Sequence, residues 1–464
     1  MALKRDLSDF DLTNIVVGAV VGSDIYIASA ITAGLIGPFS IVVWIVAGAA
    51  ATVLAMIFAY SSYYVPRVGG SFAFVSTAFD DFYGFLAGWS MWIAEVLSLP
   101  VFALTFANYL QYFIPLNSPQ QLLVKGAFLF GLTSVNIFGV KAAGRLNDVL
   151  TIIKLSPLLL IVIFGIGSFL YNPSGLVSNY TPLLPAGLGN FGTALVLVFW
   201  AYVGFELGTL PAAEVKDPKR TIPRALIAGM SIVTVFYLST NFVIFGTVSS
   251  PRLTQTLVPL VLVGSALLGT TGAIIISADA LVSVSGSDES GMLGTSRLAY
   301  AMSIDGLFPK AFSRVHPRFK TPYIALIVQG VLAWALSAFS GLPGLISFSV
   351  FNLAFSFLLV SLSFFVLKKR GEKGLHGQRV LPWLGVGICL YLLYSTSFFD
   401  KIAGAVLILV GVPLYIYFSP KVEANDLKSL FTSEEAVLAR NLQRRNRFLA
   451  NLVRLMARAY RRLK

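Results

Sequence analysis

A chain of 464 residues that is 56% hydrophobic and only 12% charged, with apolar runs along its whole length, is not a water-soluble domain but a membrane protein with many crossings. Its net charge of +13 could suggest a nucleic-acid partner, but the placement of the charge excludes one. With the N-terminus in the cytoplasm, 29 of the 34 Lys and Arg fall on that side, Lys125, Arg252 and Lys401 fall outside, and Lys154 and Arg297 lie within apolar runs, as the positive-inside rule expects.

Apolar length predicts about twelve spans, at 12–36, 39–64, 82–113, 121–140, 146–170, 190–212, 222–247, 265–302, 322–340, 343–367, 382–398 and 402–419. Their even number puts both termini in the cytoplasm of a multi-pass plasma-membrane protein. The first apolar segment is too long for a cleavable signal peptide and lacks a small-residue cleavage pattern. Cys389 is the single cysteine, so an intramolecular disulfide is impossible.

The first span, LTNIVVGAVVGSDIYIASAITAGLI, carries Gly22, Ser23 and Asp24 at its middle. Lipid offers no water to an opened backbone, so a helix broken there must line a protein-enclosed cavity. A continuous helix with Asp24 facing a polar neighbour is the simpler alternative. The turn at Arg67-Val68-Gly69-Gly70-Ser71 follows the second span, and the third carries Glu95, an intramembrane carboxylate expected to face the bundle interior. Lys154, in TIIKLSPLLL of the fifth span, either snorkels to the interface or is a buried ammonium acting as a proton carrier.

In the sixth span, FWAYVGFELG, Gly204 and Glu206 repeat the Gly-x-acid pattern of Gly22 and Asp24, each pair separated by the same 182 residues. Paired interruptions in two halves of a chain point to an inverted-repeat transporter with its site at the midplane. Asp279, Asp288 and Glu289 lie in the eighth span. On a helix Asp288 and Glu289 point about 100° apart, so at most one faces a cavity squarely. One of them, with Ser283, Ser285 and Ser287, is a candidate partner for Lys154; a plain structural ion pair is the alternative. His316 and His376 lack metal-ligand spacing, so no metal site or other cofactor is expected. From Thr432 the tail repeats Leu438, Leu442, Leu449, Leu452, Met456 and Leu463 at helical spacing, with arginines on the other face. It reads as an amphipathic helix on the anionic cytoplasmic leaflet, or one packed on the protein's own underside, or a partly disordered tail.

Four segments carry a resemblance: FWAYVGFELGTLPAAEVKDPKRTIPRA, TSRLAYAMSIDGLFPKAF, PRVGGSFAF and NIFGVKAAGRLN. Together they resemble the amino acid/polyamine/organocation (APC) superfamily. The resemblance implies an all-α polytopic membrane protein of twelve transmembrane helices with the leucine-transporter type of fold. Residues 1–170 and 171–367 would form a 5+5 inverted repeat, residues 368–420 two peripheral helices, and 421–464 the basic tail. It further implies a secondary transporter of amino acids, polyamines or related amines, driven by protons or by exchange, with sodium coupling the runner-up and with no enzymatic activity. Substrate would sit between the broken first and sixth spans, on Gly22, Ser23, Asp24, Ile25, Tyr26, Trp200, Tyr202, Gly204, Phe205 and Glu206. Lys154 matches, in its Thr-x-x-Lys-Leu context, a lysine that replaces a sodium ion in some members; Ser285, Ser287, Asp288 and Glu289 complete the expected coupling set. The first span departs from the family's usual Gly-Ser-Gly-Ile by having Asp at position 24. A carboxylate there takes the place of a substrate carboxylate at bare amides, which biases the site towards amines with little or no carboxylate, or towards a proton shared with an α-amino acid.

Overall fold

The computed structural model describes residues 8–66, 69–138, 140–185, 187–209, 215–339, 341–370 and 379–418. Arg67 and Val68 of the second turn, His376 and the basic tail lie outside them. Among the described residues the regular elements are all helical. In chain order they are α1 (Asp9–Val20), α2 (Ser23–Ile36), α3 (Ser40–Tyr64), α4 (Gly70–Ala78), α5 (Asp81–Leu110), α6 (Ser118–Phe138), α7 (Val140–Tyr171), α8 (Pro173–Asn179) and α9 (Phe191–Ala201). A 3-10 turn (Phe205–Thr209) precedes α10 (Pro218–Thr247), α11 (Ser250–Leu253), α12 (Pro259–Ile304), α13 (Tyr323–Phe339), α14 (Leu342–Arg370), α15 (Leu381–Ser395) and α16 (Phe398–Phe418).

Nine stretches among the described residues are long and apolar enough to cross a membrane, one of them joining α2 and α3, and α13 and α15 are shorter apolar helices. The chain is a multi-pass membrane protein. Ile163, Phe164 and Leu170 of α7 stand exposed while Leu158 and Ile161 of the same helix are buried, as expected where lipid meets one face.

Local chemistry sets where helices start and stop. Ser8 caps α1 in a reciprocal box: its hydroxyl accepts from the Asp11 N–H at 3.3 Å, and Asp11 Oδ2 accepts from the Ser8 N–H at 2.9 Å. Asp80 caps α5 by accepting the Tyr83 N–H at 3.1 Å. Pro259 stands in the first turn of α12, where a missing N–H costs nothing. The span expected over 12–36 is two helices that part at Val21 and Gly22, where the sequence places its break. One element differs from its sequence reading: that expected over 265–302 begins at Pro259 and turns at Gly269, whose φ of 62° favours glycine. α5 is the buried axis, packed on α14 and α12, and it carries Glu95 towards the gap where α1 and α9 both stop.

Candidate functional site

Both interruptions are present, and they touch. At the first, α1 ends at Val20, Val21 is extended (φ −74°, ψ 103°), and Gly22 (φ −146°, ψ −138°) leads into α2. At the second, α9 gives way after Ala201 to turns and then the 3-10 helix, with Gly204 at φ +116°. A Cβ on Gly204 would lie 3.0 Å from the backbone C and O of Ala19, so the second break is pressed on the end of α1. Gly22 is enclosed in the same way: a Cβ there would meet Phe102 and Ser287 at 2.9 Å. Gly204→Ala combines left-handed strain with a backbone clash and is expected to cost at least about 2 kcal/mol. Its melting temperature in detergent should drop, whereas Gly131→Ala, at a helical site with open space, should not lower it.

Each break closes on its own carboxylate. The Gly22 N–H donates to Asp24 Oδ1 at 2.7 Å, and the Gly204 N–H donates to both oxygens of Glu206 at 3.1 Å. The recurrent Gly-x-acid pattern is thus one device used twice: an opened turn frees an amide, and the acid two residues on receives it. Asp24 is held further by the Tyr237 hydroxyl, which donates to Oδ2 and lies 3.1 Å from Val20 O.

Lys154 is fully buried, which overrules snorkelling. Its ammonium donates to Gly18 O at 2.6 Å, Val21 O at 2.8 Å and Ser287 Oγ at 3.2 Å. These carbonyls are orphaned because α1 stops, and the end of a helix carries partial negative charge. The expected pairing with Asp288 or Glu289 is therefore corrected. Neither Asp288 oxygen has a partner, nor does Glu289 Oε1, and Ser285 bonds back to Leu281 O at 2.6 Å. Ser287 takes the position facing Lys154, and the next residue on a helix turns about 100° away.

A cavity lies between the breaks, lined by Asp24, Glu95, Ser98, Phe102, Trp200, Gly204 and Ser287 among others. Trp200 is fixed over it by an Nε1–H bond to Ser98 Oγ at 3.0 Å. Ile25, Tyr26, Tyr202 and Phe205, expected to contact substrate, are buried but not among its lining residues. Tyr26 instead donates to Asp279 Oδ2 at 2.7 Å, and its carbonyl accepts from the Tyr109 hydroxyl at 2.7 Å. Tyr202 packs edge-on against Trp44 and Tyr237, and Phe205 packs among Phe58 and Phe357. Ser23 Oγ, buried at the first turn of α2, has no partner. A second cavity, on the side of the turn between α3 and α4, is lined by Ser71, Glu95, Glu206 and Thr295 among others.

Sequence reasoning missed Tyr237 and the contact between Glu95 and Glu206. The signal for the first was present, since a tyrosine hydroxyl within an apolar run must find a partner.

A family model described as amino acid permease matches residues 7–418. The chain is 28% identical over 445 residues to the methylthioribose transporter of Bacillus subtilis, covering 90% of this chain and 94% of the relative. It is 27% identical over 443 residues to the branched-chain amino acid permease BcaP of the same organism, with coverage of 90% and 94%. With the serine/threonine exchanger SteT, also of Bacillus subtilis, identity is 25% over 437 residues, covering 90% and 97%.

Proposed function

The chain belongs to the amino acid permease family, and from that premise we propose that it is a proton-coupled secondary transporter of small amines, working by alternating access. Twelve crossings arranged as a 5+5 inverted repeat with two peripheral helices fit the helix order, and the lysine and arginine asymmetry supports cytoplasmic termini in the plasma membrane.

The solutes named for the relatives range from methylthioribose to branched-chain amino acids to serine and threonine, so family membership alone leaves the substrate open. One observation carries the choice. The amide freed at the first break, where a substrate carboxylate would dock, is already taken by Asp24. The charged side chains lining the cavity, Asp24 and Glu95, are both acidic. Such a lining suits an ammonium, with Trp200 and Phe102 covering the apolar part. Lys154 and Ser287 hold the break together; the ammonium on the α1 carbonyls disfavours sodium at that place, since two cations would share the same oxygens.

Matched pairs test the choice. Isoamylamine and cadaverine should raise the melting temperature of the purified protein more than leucine and lysine do. Saturation at 100 times Kd corresponds to about 2.7 kcal/mol. Equal or greater stabilisation by the amino acids would overturn the amine reading.

A further inference from the structure

Glu95 has no role in the transport scheme above beyond its charge, yet its placement is unusual: of the acidic side chains at the site, it alone borders both cavities. Towards the cavity between the breaks it shares the wall with Asp24, and towards the other it faces Glu206 and Ser71. The Glu95 and Glu206 carboxyl groups lie within hydrogen-bonding range of each other. Both are buried, at 8% and 2% exposure. A carboxylate only accepts, so a hydrogen bond between two carboxyl groups requires a proton on one of them, and two bare charges in contact out of water would repel.

Two further buried polar atoms at the second cavity have no partner, Ser71 Oγ and Glu95 Oε1. The elements packed on the pair bring other titratable or charged groups, among them Asp24 and Tyr26 on α2, Tyr60 on α3, Lys125 on α6, Tyr237 on α10, Asp279, Asp288, Glu289 and Arg297 on α12, and Asp400 on α16. Of these only Asp24 lines a cavity with either glutamate. Lys154 has its three N–H donors engaged. A neutral amine would keep two donors for three acceptors and turn a lone pair towards carbonyl oxygens.

Building on the reading of the chain as a proton-coupled transporter, we propose that the Glu95–Glu206 carboxyl pair binds the transported proton and relays it between the two cavities, while Lys154 stays a fixed cation. Glu95 takes a proton from water in the cavity between the breaks. The Glu95 O–H bond then breaks as the Glu206 O–H bond forms across their hydrogen bond, and Glu206 releases the proton to water in the second cavity. Substrate ammonium is held on Asp24 meanwhile, so proton and solute occupy separate carboxylates.

Infrared difference spectroscopy of the purified protein between acid and alkaline pH tests the pair without any solute. Wild type should show a protonated-carboxyl C=O band that is lost in both Glu95→Gln and Glu206→Gln, and retained in Glu289→Gln. The substitutions are isosteric, and the side-chain amide oxygen that Glu206→Gln leaves in place can still accept the Gly204 N–H. Absence of the band in wild type, or its survival in either single variant, overturns the proposal. A transport arm uses radiolabelled isoamylamine in proteoliposomes: Glu206→Gln, which removes the other half of the pair without altering the lining of the cavity between the breaks, should lose accumulation driven by a pH gradient and retain solute counterflow. Retained accumulation, or loss of counterflow as well, counts against the relay. If wild type takes up no isoamylamine, the amine reading fails and the infrared result still decides the pair.

Discussion

Lys154→Met is expected to abolish transport and to lower the melting temperature more than any other single change at the site. The substitution nearly preserves length and volume, so its effect isolates the ammonium. Three acceptors lose their donor: Gly18 O, Val21 O and Ser287 Oγ, though Ser287 can still serve one of the carbonyls, which it approaches at 3.2 and 2.7 Å. A buried polar group left unmatched costs roughly 1–3 kcal/mol, while interhelical hydrogen bonds in membranes average nearer 0.6 kcal/mol. The bonds here involve a full charge and converge on a helix end left with the single Ser287 hydroxyl for two carbonyls, so a loss on the order of 3 kcal/mol follows. Asp24 and Asp279 also lose the cation whose charge acts on them. If the break opens by that amount, the binding-competent geometry falls about 100-fold in population, and uptake falls with it. Melting in detergent and initial uptake rates in proteoliposomes check both halves. A Lys154→Met protein that melts and transports like wild type would show that the break holds itself together.

How far the site is legible in the sequence follows from the kind of interaction involved. The Gly-x-acid repeat is legible because its bond is local: the acid receives an amide two residues back, and sequence spacing encodes that directly. Lys154 is legible as a buried charge but not in its partners, because a carboxylate is the partner that a buried cation first suggests. Yet a helix that stops at mid-membrane leaves carbonyls without donors, and that consequence of the predicted break points to Gly18 and Val21. Glu95 stands without a partner in the sequence since Glu206 lies 111 positions away, and only the packing of α5 across the second break brings them together. The aromatic residues mislead for a related reason. Tyr26, Tyr202 and Phe205 are close in sequence to cavity residues, but successive side chains on a helical turn point in different directions, and these three point into neighbouring helices. Apolar length places most of the helices to within a few residues, whereas the early start of α12 at Pro259 and its turn at Gly269 lie in an apolar run that gives no sign of them.

Asp24→Gly is the second large effect, and it changes selectivity rather than removing function. With the carboxylate gone, the Gly22 N–H becomes an unmatched donor, and the Tyr237 hydroxyl, left with Val20 O at 3.1 Å, borders the space that Asp24 filled. An α-amino acid can place its own carboxylate there, gaining charge-assisted bonds worth about 1.5–3 kcal/mol each before the cost of fixing the solute. A simple amine gains nothing and loses its counter-ion. The ratio of affinities for leucine over isoamylamine should therefore rise by roughly 10- to 100-fold, with most of the change set by one net bond of this kind. The backbone cost is modest, about 1 kcal/mol for a glycine in the first turn of α2. Asp279 remains as a counter-charge for Lys154, so the variant should stay folded and its melting temperature reports whether it does. Asp24→Asn is the intermediate case. Its amide oxygen can still accept the Gly22 N–H, so leucine should gain little there while the amine still loses the charge that held it. A folded Asp24→Gly protein with an unchanged leucine to isoamylamine ratio would mean that the solute's carboxylate docks away from the first break, and that Asp24 closes the turn without setting what the site accepts.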